Sequence, residues 1–151
     1  IYVGGGNTRN LILLWQAWGL DKLFRQAWEQ GTVLAGLSAG AICWFEEGLT
    51  DSYPGKLDRL ECLGFLKGSC SPHYDGEAER RPTYERLVGS GEMMDGRAAD
   101  DGAALHFVGT ELSRVVTSRP EAQAFQVKRV DGQAAESVLP SEYLGKRPEW
   151  V

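Results

Sequence analysis

The chain has 151 residues, 42 % hydrophobic and 25 % charged, a balance that suits one soluble globular domain, 1–151, able to bury a core. A net charge of −5 and a pI near 5.1 argue against nucleic acid as the main partner, and no apolar run is long enough to cross a bilayer. Cys43, Cys62 and Cys70 are odd in number and lack metal-ligand spacing, so neither a disulfide framework nor a zinc site is expected.

Ile1-Tyr2-Val3 reads as a buried strand with no initiator Met before it, which suggests a chain entered in mid-fold. The sequence leaves open whether a signal peptide or an earlier βα unit lies upstream. The strand stops at Gly4-Gly5-Gly6-Asn7-Thr8, where bare backbone suits close approach to an anion or a carbonyl oxygen, and Asn7 or Thr8 can cap a helix. Leu11, Leu14, Trp15 and Trp18 then recur at helical spacing, predicting one buried stripe that ends at Gly19. Asp21 is expected to cap a second helix with Leu23, Phe24, Ala27 and Trp28 as its apolar face and Gly31 at its end.

The run Thr32-Val33-Leu34-Ala35 predicts a strand, and Ala41-Ile42-Cys43-Trp44-Phe45 a helix. Between them lies Gly36-Leu37-Ser38-Ala39-Gly40. Glycines two residues either side of a serine remove the Cβ atoms that would clash in a tight strand-to-helix turn, so the hydroxyl can project as a nucleophile. The plain alternative is a small-residue turn without chemistry. Strands alternating with helices imply a mainly parallel α/β sheet, whose ligands gather at the carboxyl ends of the strands. The glycine loop and Ser38 both fall there, on strands that can be neighbours.

Residues 46–55 read as a polar loop carrying Asp51, and 64–71 as another strand ending at Pro72-His73-Tyr74-Asp75. His73 thus stands where a general base is needed, its alternative being a structural surface histidine. His106, in a strand interior, suits a sheet-face role. The run 76–81 reads as a solvated charged loop before a helix over 83–88. Strands over 103–108, 112–117, 124–130 and 137–139, with Asp131-Gly132 as a turn, predict an antiparallel finish to the sheet. Residues 146–151 read as a frayed or docking tail.

Taken in order, Gly4-Gly5-Gly6-Asn7-Thr8, Gly36-Leu37-Ser38-Ala39-Gly40-Ala41, Ser71-Pro72-His73-Tyr74 and Asp101-Gly102 resemble peptidase E, the aspartyl dipeptidase family of serine peptidases. The resemblance implies the α/β fold of class I glutamine amidotransferases, with roughly the first third absent from this chain. It also implies a Ser-His-acid triad without metal or other cofactor. Residue by residue, Ser38 corresponds to the nucleophile and His73 to the base. Two positions match family acids, Asp51 and Asp101; at the latter the family carries Glu, one methylene longer. Between them Asp101 is preferred because it directly precedes a predicted strand. The amide of Ala39 and one from Gly5 or Gly6 would form the oxyanion hole. A family arginine that meets a substrate's N-terminal aspartate corresponds to Arg80 or Arg81. Small peptides are the implied substrates, in the cytoplasm, with room for a homodimer.

Two other functions compete. An α/β-hydrolase-type esterase would use Ser38, Asp51 and His73 in that order, although such folds put much more chain between nucleophile and histidine. A catalytically silent peptide-binding or structural domain is the other.

Overall fold

The computed structural model describes residues 1–145. The predicted tail, 146–151, lies outside them. The chain forms a mixed α/β structure in which helices flank sheets. Strand β1 (Tyr2–Val3) runs parallel to β2 (Ala35–Gly36), with Val3 opposite Gly36, and between them come α1 (Thr8–Trp18) and α2 (Leu20–Glu29). The two strands are therefore neighbours, as the loop-and-elbow reading requires. Asn7 caps α1, its Oδ1 accepting the Asn10 N–H at 2.9 Å, and Gly19 closes it at φ 72°. Gly19 is also the cap of α2, so Asp21 sits in the first turn of that helix and not at its cap. The buried face of α1 is rotated from the predicted stripe. Thr8 and Ile12 point inward, whereas Leu14 and Trp18 are exposed.

After Ser38 comes only one helical turn, α3 (Ala39–Ile42), and the expected polar loop is instead strand β3 (Phe45–Tyr53). Its polar residues are bonded inside the protein. Glu47 Oε2 accepts the Met94 N–H at 2.8 Å, and the Thr50 and Ser52 hydroxyls lie 2.7 Å apart. Polar composition disguised a buried strand. It turns back through Pro54-Gly55 into β4 (Lys56–Glu61), followed by β5 (Leu66–Ser71), α4 (Arg80–Ser90) and β6 (Gly96–Ala99). Helix α4 starts earlier than predicted because Pro82 falls in its first turn, where a missing N–H costs nothing.

β7 (Ala103–Val108) and β8 (Glu111–Thr117) form an antiparallel pair, which β11 (Ser141–Tyr143) extends as a separate sheet. β9 (Ala124–Val130) and β10 (Gln133–Leu139) complete a six-stranded sheet of order β10-β9-β6-β5-β3-β4. Within it β3, β5 and β6 are parallel, while the β3–β4, β6–β9 and β9–β10 ladders are antiparallel. "Mainly parallel" thus holds only for its centre, because a hairpin caps each edge. Asp131 and Gly132, at φ 50° and 82°, make the turn between β9 and β10.

Two apolar clusters hold these parts. Val3, Ile12, Cys43, Trp44 and Phe65 pack with Trp15, Phe24 and Trp28 beside the β1–β2 pair. Leu49, Tyr74, Tyr84, Leu87, Val88, Ala98, Phe125 and Val127 pack between the six-stranded sheet and α4. No described helix is long and apolar enough to cross a membrane.

Candidate active site

Ser38 stands between β2 and α3 at φ 52°, ψ −119°, a backbone that a non-glycine residue rarely adopts and that costs about 1–3 kcal/mol. Close backbone packing forces it there. A Cβ at Gly40 would lie 2.2 Å from the Val3 carbonyl oxygen, and one at Gly36 would lie 2.2 Å from the Gly40 oxygen. Only glycine fits either position, so β1, β2 and the start of α3 close onto one another and hold the serine at the crest. The glycine loop comes up beside it. A Cβ at Gly5 would lie 3.4 Å from Ser38 Cβ and 3.8 Å from its Oγ. Among the described residues the amides of Gly5, Gly6 and Ala39 donate no hydrogen bond, while those of Gly40, Ala41 and Ile42 are taken up by Leu37 and Ser38 carbonyls. Ala39 is fully buried, and Gly5 and Gly6 are exposed.

His73 follows β5, also at positive φ, 55°. Its Nδ1 meets Asp101 Oδ1 at 2.6 Å, which fixes the proton on Nδ1 and leaves Nε2 as the basic nitrogen. The Tyr74 N–H to Ala99 oxygen bond, 3.1 Å, ties this segment to the end of β6, from which the turn carrying Asp101 leads to β7. Gly76 lets the carboxylate lie close, since a Cβ there would be 2.4 Å from Asp101 Oδ2. Among the described residues no hydrogen bond joins Ser38 Oγ to His73; each stands just past the end of its strand, and α3 leads from Ser38 into β3, which pairs with β5 in parallel.

Asp51 is not in a loop but on β3, its side chain 71 % exposed, and its partner is Arg80 Nη2 at 4.0 Å. Arg80 and Arg81 open α4 and do not lie in a charged loop. Arg80 is buried, with Nε on Glu77 Oε2 at 2.7 Å and Nη1 on the Leu49 oxygen at 2.9 Å. Arg81 is half exposed, paired with Glu136 and 3.7 Å from Glu85, and lies over the Tyr74 and Phe125 rings. His106 projects from β7 as a sheet-face residue and accepts from Arg114 Nε at 3.2 Å.

Sequence reasoning missed Asp75 and Arg119. Asp75 Oδ1 accepts the Asp101 N–H at 2.8 Å, and Arg119 Nη2 reaches Asp75 Oδ2 at 2.5 Å. The only linear signal is that Asp75 lies two residues beyond His73. Burial works to raise the Asp75 carboxyl, but the Asp101 amide and the Arg119 guanidinium outweigh it and hold it below the ordinary carboxylate range. Burial raises neighbouring Asp100, against the Gln123 N–H that its carboxylate accepts at 2.9 Å. It also pushes the Cys62 and Cys70 thiols up to about 12 and Cys43 higher still, so none is a thiolate near neutral pH.

The structure thus holds a serine at strained φ beside a glycine loop, and a histidine–carboxylate pair just past β5. The chain belongs to peptidase family S51, whose model matches residues 1–115, a span that includes Gly5, Ser38, His73 and Asp101. It is also 57 % identical over 145 residues to the uncharacterized peptidase YgaJ of Bacillus subtilis (strain 168), an alignment covering 96 % of this chain and 63 % of that protein. The chain therefore spans less than two thirds of the curated relative it matches.

Proposed function

We propose that this chain carries the catalytic residues of a serine peptidase that hydrolyses small peptides through an acyl-enzyme on Ser38. The observation that carries the reading is the backbone of Ser38, held at φ 52° by glycines that no other residue can replace, with Gly5 against its side chain. His73 Nε2 takes the hydroxyl proton as Oγ attacks the scissile carbonyl, then returns it to the leaving amine. Asp101 keeps the imidazole in that tautomer and balances the imidazolium. The Ala39 amide and one from Gly5 or Gly6 bind the tetrahedral oxyanion. A second cycle with water releases the acid. Catalytic hydrogen bonds are often long in a resting enzyme, so the Ser38–His73 bond belongs to the substrate complex. We read the architecture as that of class I glutamine amidotransferases. Free Cys43, Cys62 and Cys70 suit work in a reducing cytoplasm.

Dipeptides with an N-terminal aspartate are the proposed substrates, and Arg80 is the better of the two candidate cations. Among the described residues its Nη2 faces only the exposed Asp51, at 4.0 Å, so a substrate carboxylate can take that partner's place, whereas Arg81 is committed to Glu136 and Glu85. The test is turnover of Asp-Leu, Asn-Leu and Ala-Leu by the wild type, Ser38→Ala, Arg80→Lys and Arg81→Ala. Ser38→Ala should lower kcat by on the order of 10⁴-fold or more. Arg80→Lys, which loses the planar fork, should weaken selectivity for Asp-Leu more than Arg81→Ala does. Equal cleavage of all three dipeptides by the wild type would leave a peptidase of another preference; an active Ser38→Ala would remove the mechanism.

A further inference from the structure

The Asp75 carboxylate spans the two halves of the histidine–acid pair. It is two residues beyond His73, yet its Oδ1 holds the backbone amide of Asp101, 26 positions further on. Its Oδ2 is held in turn by Arg119, from the turn after β8. That turn is anchored to the same place, because the Ser118 N–H donates to the Gly102 oxygen at 2.8 Å. Three segments, those following β5, β6 and β8, are thus fastened around Asp101. The Glu77 N–H to His73 oxygen bond, 3.2 Å, curls residues 73–77 over the Asp101 carboxylate, with Gly76 against Oδ2.

The reach of an aspartate is short. Only two rotatable bonds separate its carboxylate from the main chain, so the position of its backbone decides where its oxygens can go. Fixing the Asp101 amide therefore fixes Oδ1 on the imidazole, which a longer acid could reach from a looser backbone. We propose that Asp75, braced by Arg119, is the positioning residue that fixes the Asp101 carboxylate on His73 Nδ1, an inference that rests on the roles given above to His73 and Asp101. Asp75 touches no reacting atom. It acts through Asp101.

The test compares Asp75→Ala, Asp75→Asn and Arg119→Ala by two readouts: steady-state hydrolysis of Asp-Leu, and the proton NMR signal of the His73 Nδ1 hydrogen recorded in a Ser38→Ala background, where turnover plays no part. Asp75→Ala should lower kcat by about 10²-fold while KM stays within roughly twofold, as misalignment of a catalytic group does. The low-field Nδ1 proton signal should move upfield or vanish. Asp75→Asn, which keeps an oxygen for the Asp101 amide, should recover much of both. Should Asp75→Ala not fold, Arg119→Ala removes only the brace and should show the same two changes in smaller measure. An unchanged kcat with an unchanged Nδ1 signal overturns the proposal, and so does a lowered Tm unaccompanied by either change. Activity in Ser38→Ala itself would instead sink the peptidase reading, leaving the NMR arm to judge the positioning of Asp101 alone.

Discussion

Ser38 and His73 both hold positive φ, and around Ser38 the close approach of neighbouring backbone accounts for it. At Ser38 the constraint is legible in advance, because glycines two residues either side announce a crowded turn and the structure puts carbonyl oxygens 2.2 Å from where their Cβ atoms would be. At His73 nothing local announces it. Asp75 is equally silent in the sequence, since its partners Asp101 and Arg119 lie 26 and 44 positions away and no periodic pattern links them. The direction of its shift yields a prediction. With its carboxyl held below the ordinary aspartate value, the unfolded chain binds more protons than the folded one between the two values, so this contribution is present above the ordinary pKa of about 3.9 and is lost as pH falls through the folded value. Denaturant unfolding of wild type and Asp75→Asn across the acid range should show the stability gap between them closing as pH drops. A gap that stays constant would mean that Asp75 gains nothing from its charge.

Among the elements, those marked by apolar period or by glycine were readable. The α1 helix follows from its Asn7 cap and closing Gly19, and the β9–β10 hairpin from its Asp131-Gly132 turn. Strand β3 was not, because its buried groups include Glu47, Thr50 and Ser52 beside Phe45 and Leu49, and a buried polar residue looks in a linear sequence like a loop. Packing inverts the expectation. Thr50 Oγ1 lies 3.2 Å from Thr8 Oγ1 and accepts the Ser52 N–H at 3.2 Å, while Ser52 Oγ accepts the Arg9 N–H at 3.2 Å, so β3 is fastened to the first turn of α1 just after the glycine loop. The same blindness hid Arg80, whose place in a charged run concealed its burial. Thr50→Val keeps the shape but strands the Ser52 amide and the Thr8 hydroxyl, and it should cost about 1–3 kcal/mol. The check is the urea midpoint, which should fall with no change in slope. An unaltered midpoint would show that water satisfies these groups and that β3 does not depend on the network.

On the scale of the whole molecule, the proposed machinery straddles the two apolar clusters. Ser38 is carried between Val3 and Cys43 of one, and His73 adjoins Tyr74 of the other. The parallel ladder of β3 and β5, with Glu47 opposite Ser69 and Gly48 opposite Cys70, connects them, so the register of two strands fixes where the segments carrying Ser38 and His73 leave the sheet. The motifs supply the proposed participants; the register and the hairpins on either side depend on pairings between residues far apart in sequence. The central claim is that Ser38 is a nucleophile activated by His73. A fluorophosphonate reacts covalently with such a serine and with few others, and mass mapping of the labelled protein reads the attachment point directly. The account predicts a single adduct on Ser38, abolished in Ser38→Ala and strongly slowed in His73→Ala. An unlabelled wild type, or an adduct that survives the loss of Ser38, would contradict it.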